Sequence, residues 1–139
     1  MHPPYYNARM ADRLFTLDEA RELLPTVRQI LTEIRTAKGE VDRTGAEMAR
    51  MLGVMGGNGH LEGDLAKARD QVEYAAGDLH EHIAELADLG VELKGIDEGL
   101  CDFPSERDGR IVYLCFRLGE DDIEYWHELD TGFSGRKPL

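Results

Sequence analysis

Two apolar stripes of helical spacing, one on each side of a glycine-rich break, restrict this chain to a helical hairpin before any other feature is weighed. Leu17, Ala20, Leu24, Val27, Leu31 and Ile34 alternate steps of three and four, and the pattern continues, weakened, through Lys38, Val41, Gly45, Met48 and Leu52. Leu61, Leu65, Ala68, Val72, Ala75, Leu79, His82, Leu86 and Leu89 repeat it after the break. Between them, Gly53-Val54-Met55-Gly56-Gly57-Asn58-Gly59 favours an open turn over helix. Matched stripes about such a turn predict antiparallel helices packed like a coiled coil. Thr16-Leu17-Asp18-Glu19 has the capping-box pattern, so the first helix is expected to start at Leu17. Pro25 is expected to kink or restart it near Leu24. With the turn centred near Asn58, His82 falls opposite Ile34 and Lys38 opposite Leu79. Polar residues in such seams set register or extend their charged ends to water. The segment from Gly53 to Gly63 is expected to be the most mobile internal stretch, and residues 1–13, with two prolines and two tyrosines, a flexible leader.

After Gly90 the period shortens. Val91–Lys94, Leu100–Phe103, Arg110–Leu118 and Ile123–Leu129 read as short strands, with a hairpin turn at Asp108-Gly109 and a longer one at Gly119-Glu120-Asp121-Asp122. The fold class expected is α+β: a long antiparallel helical hairpin, 14–90, packed with a small antiparallel β-meander of three or four strands and a tail, 91–139, in a single domain. A two-residue turn pairs Phe103 with Leu114 and Asp102 with Cys115, whereas a four-residue turn pairs Arg117 with Glu124 and Cys115 with Trp126. One face then carries Cys101, Phe103, Val112, Leu114, Phe116, Leu118, Ile123 and Tyr125, the expected core. The other carries Asp102, Tyr113, Cys115, Arg117, Glu124 and Trp126, too polar for a core and too aromatic for ordinary surface.

Charge narrows the functions open to this fold. The net charge is −12, with 16 acids to 8 bases over residues 17–93 and 11 to 6 over residues 94–139. Neither half offers the concentrated Lys/Arg face that phosphate neutralisation needs, which argues against nucleic acid and against an anionic membrane surface. The longest apolar run, Ile111 to Phe116, is far too short to span a bilayer, and the first residues lack the pattern of a signal peptide, so a cytoplasmic location is expected. The two cysteines, Cys101 and Cys115, are too sparse for a disulfide framework and read as reduced thiols.

The chain resembles the DUF2203 family of small bacterial proteins without an established function. The resemblance rests on Phe15-Thr16-Leu17-Asp18-Glu19-Ala20 and Leu23-Leu24-Pro25, and more specifically on Gly99-Leu100, Asp102-Phe103-Pro104, Asp108-Gly109-Arg110 and Val112-Tyr113-Leu114-Cys115-Phe116. It continues through Leu118-Gly119-Glu120, Tyr125-Trp126-His127 and Gly132-Phe133-Ser134-Gly135-Arg136. It implies the same architecture and supplies no catalytic residue.

Three functions compete. The first is a non-enzymatic interaction or scaffold module, expected to be a homodimer because apolar residues such as Leu23, Ile30, Met51, Ile83 and Val91 flank the helical seams. Its contact surface would be the β face and tail, using Tyr113, Arg117, Trp126 and Arg136. The second is a metal or small-ligand site drawn from Cys101, Cys115, His127, Asp102 and Asp130, although the cysteines lack the paired spacing of a legible zinc site. The third is an enzyme with Cys115 as nucleophile and His127 as base. A cysteine within an apolar run is poorly ionised and poorly accessible, so the balance leans away from catalysis. His80 and His82, two positions apart, lie on different faces and form no metal pair. The sequence names no cofactor and leaves the protein partner unknown, a second copy of the chain being the one partner expected.

Overall fold

A computed structural model describes residues 13–55 and 62–139. Helix α1 spans Leu17–Met55 and helix α2 spans Glu62–Asp88. The chain then forms β1 (Glu92–Gly95), β2 (Leu100–Arg107), β3 (Arg110–Arg117), β4 (Tyr125–His127), a 3-10 turn (Phe133–Gly135) and β5 (Lys137–Pro138). The five strands make one antiparallel sheet in sequential order, where a meander of three or four was expected. The tip of the expected turn, residues 56–61, and nearly all of the expected leader lie outside the described residues.

The capping box forms as the sequence implies. The Thr16 amide donates to Glu19 Oε1 at 2.8 Å, and the Glu19 amide donates to Thr16 Oγ1 at 3.1 Å. Helix α1 continues without a break through Pro25, so of the kink or restart expected there the restart is absent. Its stripe Ala20, Leu24, Val27, Leu31 and Ile34 is buried to 0–3% exposure against Leu86 of α2 and one face of the sheet. Phe15 enters edge-on against Phe103, ring centroids 5.3 Å apart. Its amide donates to the Pro104 carbonyl at 2.7 Å, where β1 no longer pairs with β2. That gap is what lets a proline sit within β2.

The β2–β3 register is the one expected, with Phe103 opposite Leu114 and Asp102 opposite Cys115. The β3–β4 register is not. Strand β4 is displaced by one residue, pairing Tyr113 with His127, Leu114 with Trp126 and Cys115 with Tyr125. The cause is the loop before it. Arg21 donates to the Ile123 carbonyl at 2.9 Å and pairs with Asp122 at 3.3 Å, while Arg28 donates to the carbonyls of Glu120 and Asp121. These bonds draw residues 120–123 onto α1 and bury Ile123 in the core ahead of the strand rather than within it. A one-residue displacement exchanges the faces of a strand. Trp126 therefore joins the core instead of the polar face, and Tyr125 and His127 take the polar face instead.

Candidate functional site

The polar face gathers one side chain from each of three adjacent strands. Asp102 of β2 stands directly opposite Cys115 of β3, and His127 of β4 lies one position along, opposite Tyr113. All three are buried at 1–2% exposure although none belongs to the main apolar core. One oxygen, the Cys115 sulfur and one ring nitrogen lie within 4.8 Å of one another. His127 Nε2 is 3.0 Å from Asp102 Oδ1, and His127 Nδ1–H donates to the Glu128 carbonyl at 2.7 Å. Since a carbonyl only accepts, Nδ1 carries a proton, and one further proton lies in the Nε2···Oδ1 bond.

Two cations flank this cluster, each balanced by its own acid. Lys94 Nζ is 3.9 Å from Asp102 Oδ2 and 3.2 Å from Glu92 Oε1, above the Tyr113 ring. Tyr113 donates its hydroxyl to Glu92 at 2.9 Å. On the other side Arg136 makes a two-pronged pair with Glu120, at 3.1 and 2.7 Å. Its guanidinium stacks on Tyr125 and Phe133 and directs Nη1 at Cys115 Sγ, 3.8 Å away. Burial holds the Asp102 carboxyl above its ordinary range, with His127 and Lys94 opposing. Burial and then the Asp102 charge push the Cys115 thiol up to about 12, with Arg136 pulling the other way.

This order of contacts does not make a nucleophile and base. In a Cys–His–acid triad the imidazole stands between thiol and carboxylate. Here both ring nitrogens are taken by Asp102 and the Glu128 carbonyl, and the thiol meets Asp102 and Arg136 instead. The cluster suits holding protons, or a cation in their place.

A family model described as an uncharacterized conserved protein (DUF2203) matches residues 13–139. The chain belongs to the DUF2203 family. No curated protein and no solved structure matches it. The DUF2203 match spans the hairpin, the sheet and the tail alike, so it covers every residue of the cluster.

Of the residues singled out in this DUF2203 sequence, Asp102, Cys115, His127, Tyr113 and Arg136 come together. Trp126 does not. It lies on the helix-facing side, with Arg107 and Lys137 over its ring at 4.5 and 4.9 Å. Arg117 is exposed beside Phe133. Cys101 faces the core, on the opposite side from Cys115 as expected, and its thiol is held well above the ordinary value by burial. Asp130 is exposed and stands outside the cluster, and Arg136 pairs with Glu120. Glu120, Glu92 and Lys94 were missed. Only Glu120 stood in a motif, Leu118-Gly119-Glu120, and its role depends on a turn that brings it back to the strand: its Oε1 accepts from the Arg117 amide at 2.7 Å.

A second polar group lies on the hairpin. His82 Nδ1 is 3.0 Å from Glu33 of α1 and 3.1 Å from Glu85, and Nε2 is 3.4 Å from Asp78. The histidine thus bridges the helices through Glu33, the neighbour of Ile34.

Proposed function

We propose that this DUF2203 protein binds one divalent metal ion of the zinc class through Cys115 Sγ, His127 Nε2 and Asp102. The observation that carries this reading is that every donor already has its own outer partner. The Glu128 carbonyl holds His127 Nδ1–H, Arg136 addresses the Cys115 sulfur, and Lys94 approaches the far oxygen of Asp102. Outer bonds of this kind orient ligands and fix the imidazole tautomer that leaves Nε2 free to coordinate.

The charge balance agrees. Without metal the cluster holds two exchangeable protons, one on Cys115 and one between His127 and Asp102. A divalent ion replacing both leaves the net charge unchanged, which matters at sites so deeply buried. Thiolate, imidazole and carboxylate together select a borderline ion such as zinc over magnesium or calcium. Metal–ligand distances of about 2.0–2.3 Å in a tetrahedral site separate donor atoms by roughly 3.3–3.7 Å. The three atoms, all within 4.8 Å of one another, reach that spacing by small side-chain shifts.

Untagged protein stripped with chelator and titrated with cobalt or zinc tests the reading. One equivalent is expected, cobalt showing a thiolate charge-transfer absorption that Cys115→Ser abolishes, and His127→Gln weakening affinity at least tenfold. Absence of stoichiometric binding, or binding unchanged in Cys115→Ser, sinks it. The interaction-module reading finds its support elsewhere, in the exposed Leu52, Val54 and Tyr74 of the hairpin.

A further inference from the structure

Among the described residues of the distal half of the hairpin, 35–54 of α1 and 62–78 of α2, no large apolar side chain is fully buried. The buried ones are Ala37, Thr44, Ala68 and Ala75, none larger than threonine. In the proximal half Leu24, Val27, Leu31 and Ile34 are sealed by the sheet and α2. Along the distal half runs a groove holding two cavities of about 460 and 390 Å³, lined from α1 by Glu40, Arg43 and Thr44 and then, on the following turns, by Glu47, Arg50, Met51 and Val54. Thr44, Ala75, Met51 and Val54 contribute small or apolar lining, and Tyr74, 79% exposed, stands on one rim.

The rims differ in charge. The α1 side of the groove carries Arg43 and Arg50, each offset by a neighbouring glutamate. The α2 side carries Asp70, Asp78 and Asp64 with no base lining either cavity from that side. Over the distal halves as a whole, α1 has four bases to three acids and α2 two bases to five acids.

We infer that this groove is the contact surface for a second copy of the chain. A two-fold axis along the hairpin sets α1 of each copy against α2 of its partner, so that the arginine rim meets the aspartate rim twice. Each Tyr74 then covers the small-residue floor of the other copy, within reach of Arg43 of the partner subunit, and the four helices form a bundle. About 20 residues of each helix, roughly 30 Å long and two helices wide, give roughly 600 Å² per copy, close to the about 800 Å² of a standard interface. The inference stands on the hairpin alone and is independent of the metal reading.

Charge exchange on the full chain tests it, because Arg43, Asp70 and Tyr74 are exposed and contribute nothing to the buried core. Sedimentation velocity at micromolar concentration is expected to show a dimer. Arg43→Asp or Asp70→Arg alone should weaken it at least tenfold, Tyr74→Lys likewise, and the double variant Arg43→Asp/Asp70→Arg should recover it. A wild-type monomer at 100-fold higher concentration overturns the inference. So does a dimer indifferent to all three single changes, or single variants that dissociate with no recovery in the double variant.

Discussion

Asp102 shows how a single carboxyl can shape the behaviour of this sheet. Desolvation raises its pKa from 3.8, so the folded protein holds the carboxyl proton more tightly than the unfolded chain does. The contribution of that proton to stability is complete below the unfolded value and is lost as pH rises through the folded one. Urea unfolding between pH 3 and 6 should therefore show a falling component that Asp102→Asn removes; an identical slope in the variant contradicts it. Cys115 gives a kinetic counterpart. A thiol moved from 9.0 to about 12 holds roughly a thousandfold less thiolate at pH 8. Alkylation of native metal-free protein at Cys115 should be slower than that of unfolded protein by at least a hundredfold, and equal rates would show the thiol to be open. Backbone geometry sets a third constraint. Gly99 has φ +63°, and a Cβ there would run into the Leu118 side chain. Gly99→Ala should cost about 1–3 kcal/mol by calorimetry, since both strain and collision act.

Elements bring these residues together, and their start and stop signals differ in how locally they are written. The capping box of α1 lies within four consecutive residues and forms as expected. Thr16→Ala should lower stability by about 1 kcal/mol in chemical denaturation, and a change below a few tenths would show the cap to be dispensable. The β2–β3 register was equally legible, because Asp108, with φ 53°, and Gly109, with φ 78°, form the two-residue turn that their types favour. The β3–β4 register was not. It depends on Arg21 and Arg28, about a hundred residues earlier, binding the carbonyls of the connecting loop. No local pattern could report that, and its consequence is the exchange of Trp126 for His127 on the polar face. For the same reason the gathering of Asp102, Cys115 and His127 could be named from sequence only as a set of residue types, not as a site. Glu120 was hidden too, because an exposed-looking acid in a turn became a half-buried anchor once β5 paired with β4 and carried Arg136 to it.

At the scale of the whole molecule the hairpin joins two regimes of stability. Residues 17–34 of α1 and 79–88 of α2 contact the sheet and share its large apolar side chains, so their opening requires disruption of the main core. Beyond them the only fully buried side chains among the described residues are Ala37, Thr44, Ala68 and Ala75, and ion pairs such as Lys38–Asp42 and Arg43–Glu40 add little because solvent screens them. Helices held by so little burial open without global unfolding. Native-state hydrogen exchange of dilute, monomeric protein should therefore show a step within each helix. Amides of 21–34 and 79–88 are expected to exchange near the global limit, and those of 41–54 and 65–75 at least a hundredfold faster. Raising the protein concentration should slow the distal set alone, because association through the groove covers only that half. Uniform protection along both helices in the monomer would show that small-residue packing suffices to hold the distal hairpin, and would remove the energetic reason for it to seek a partner.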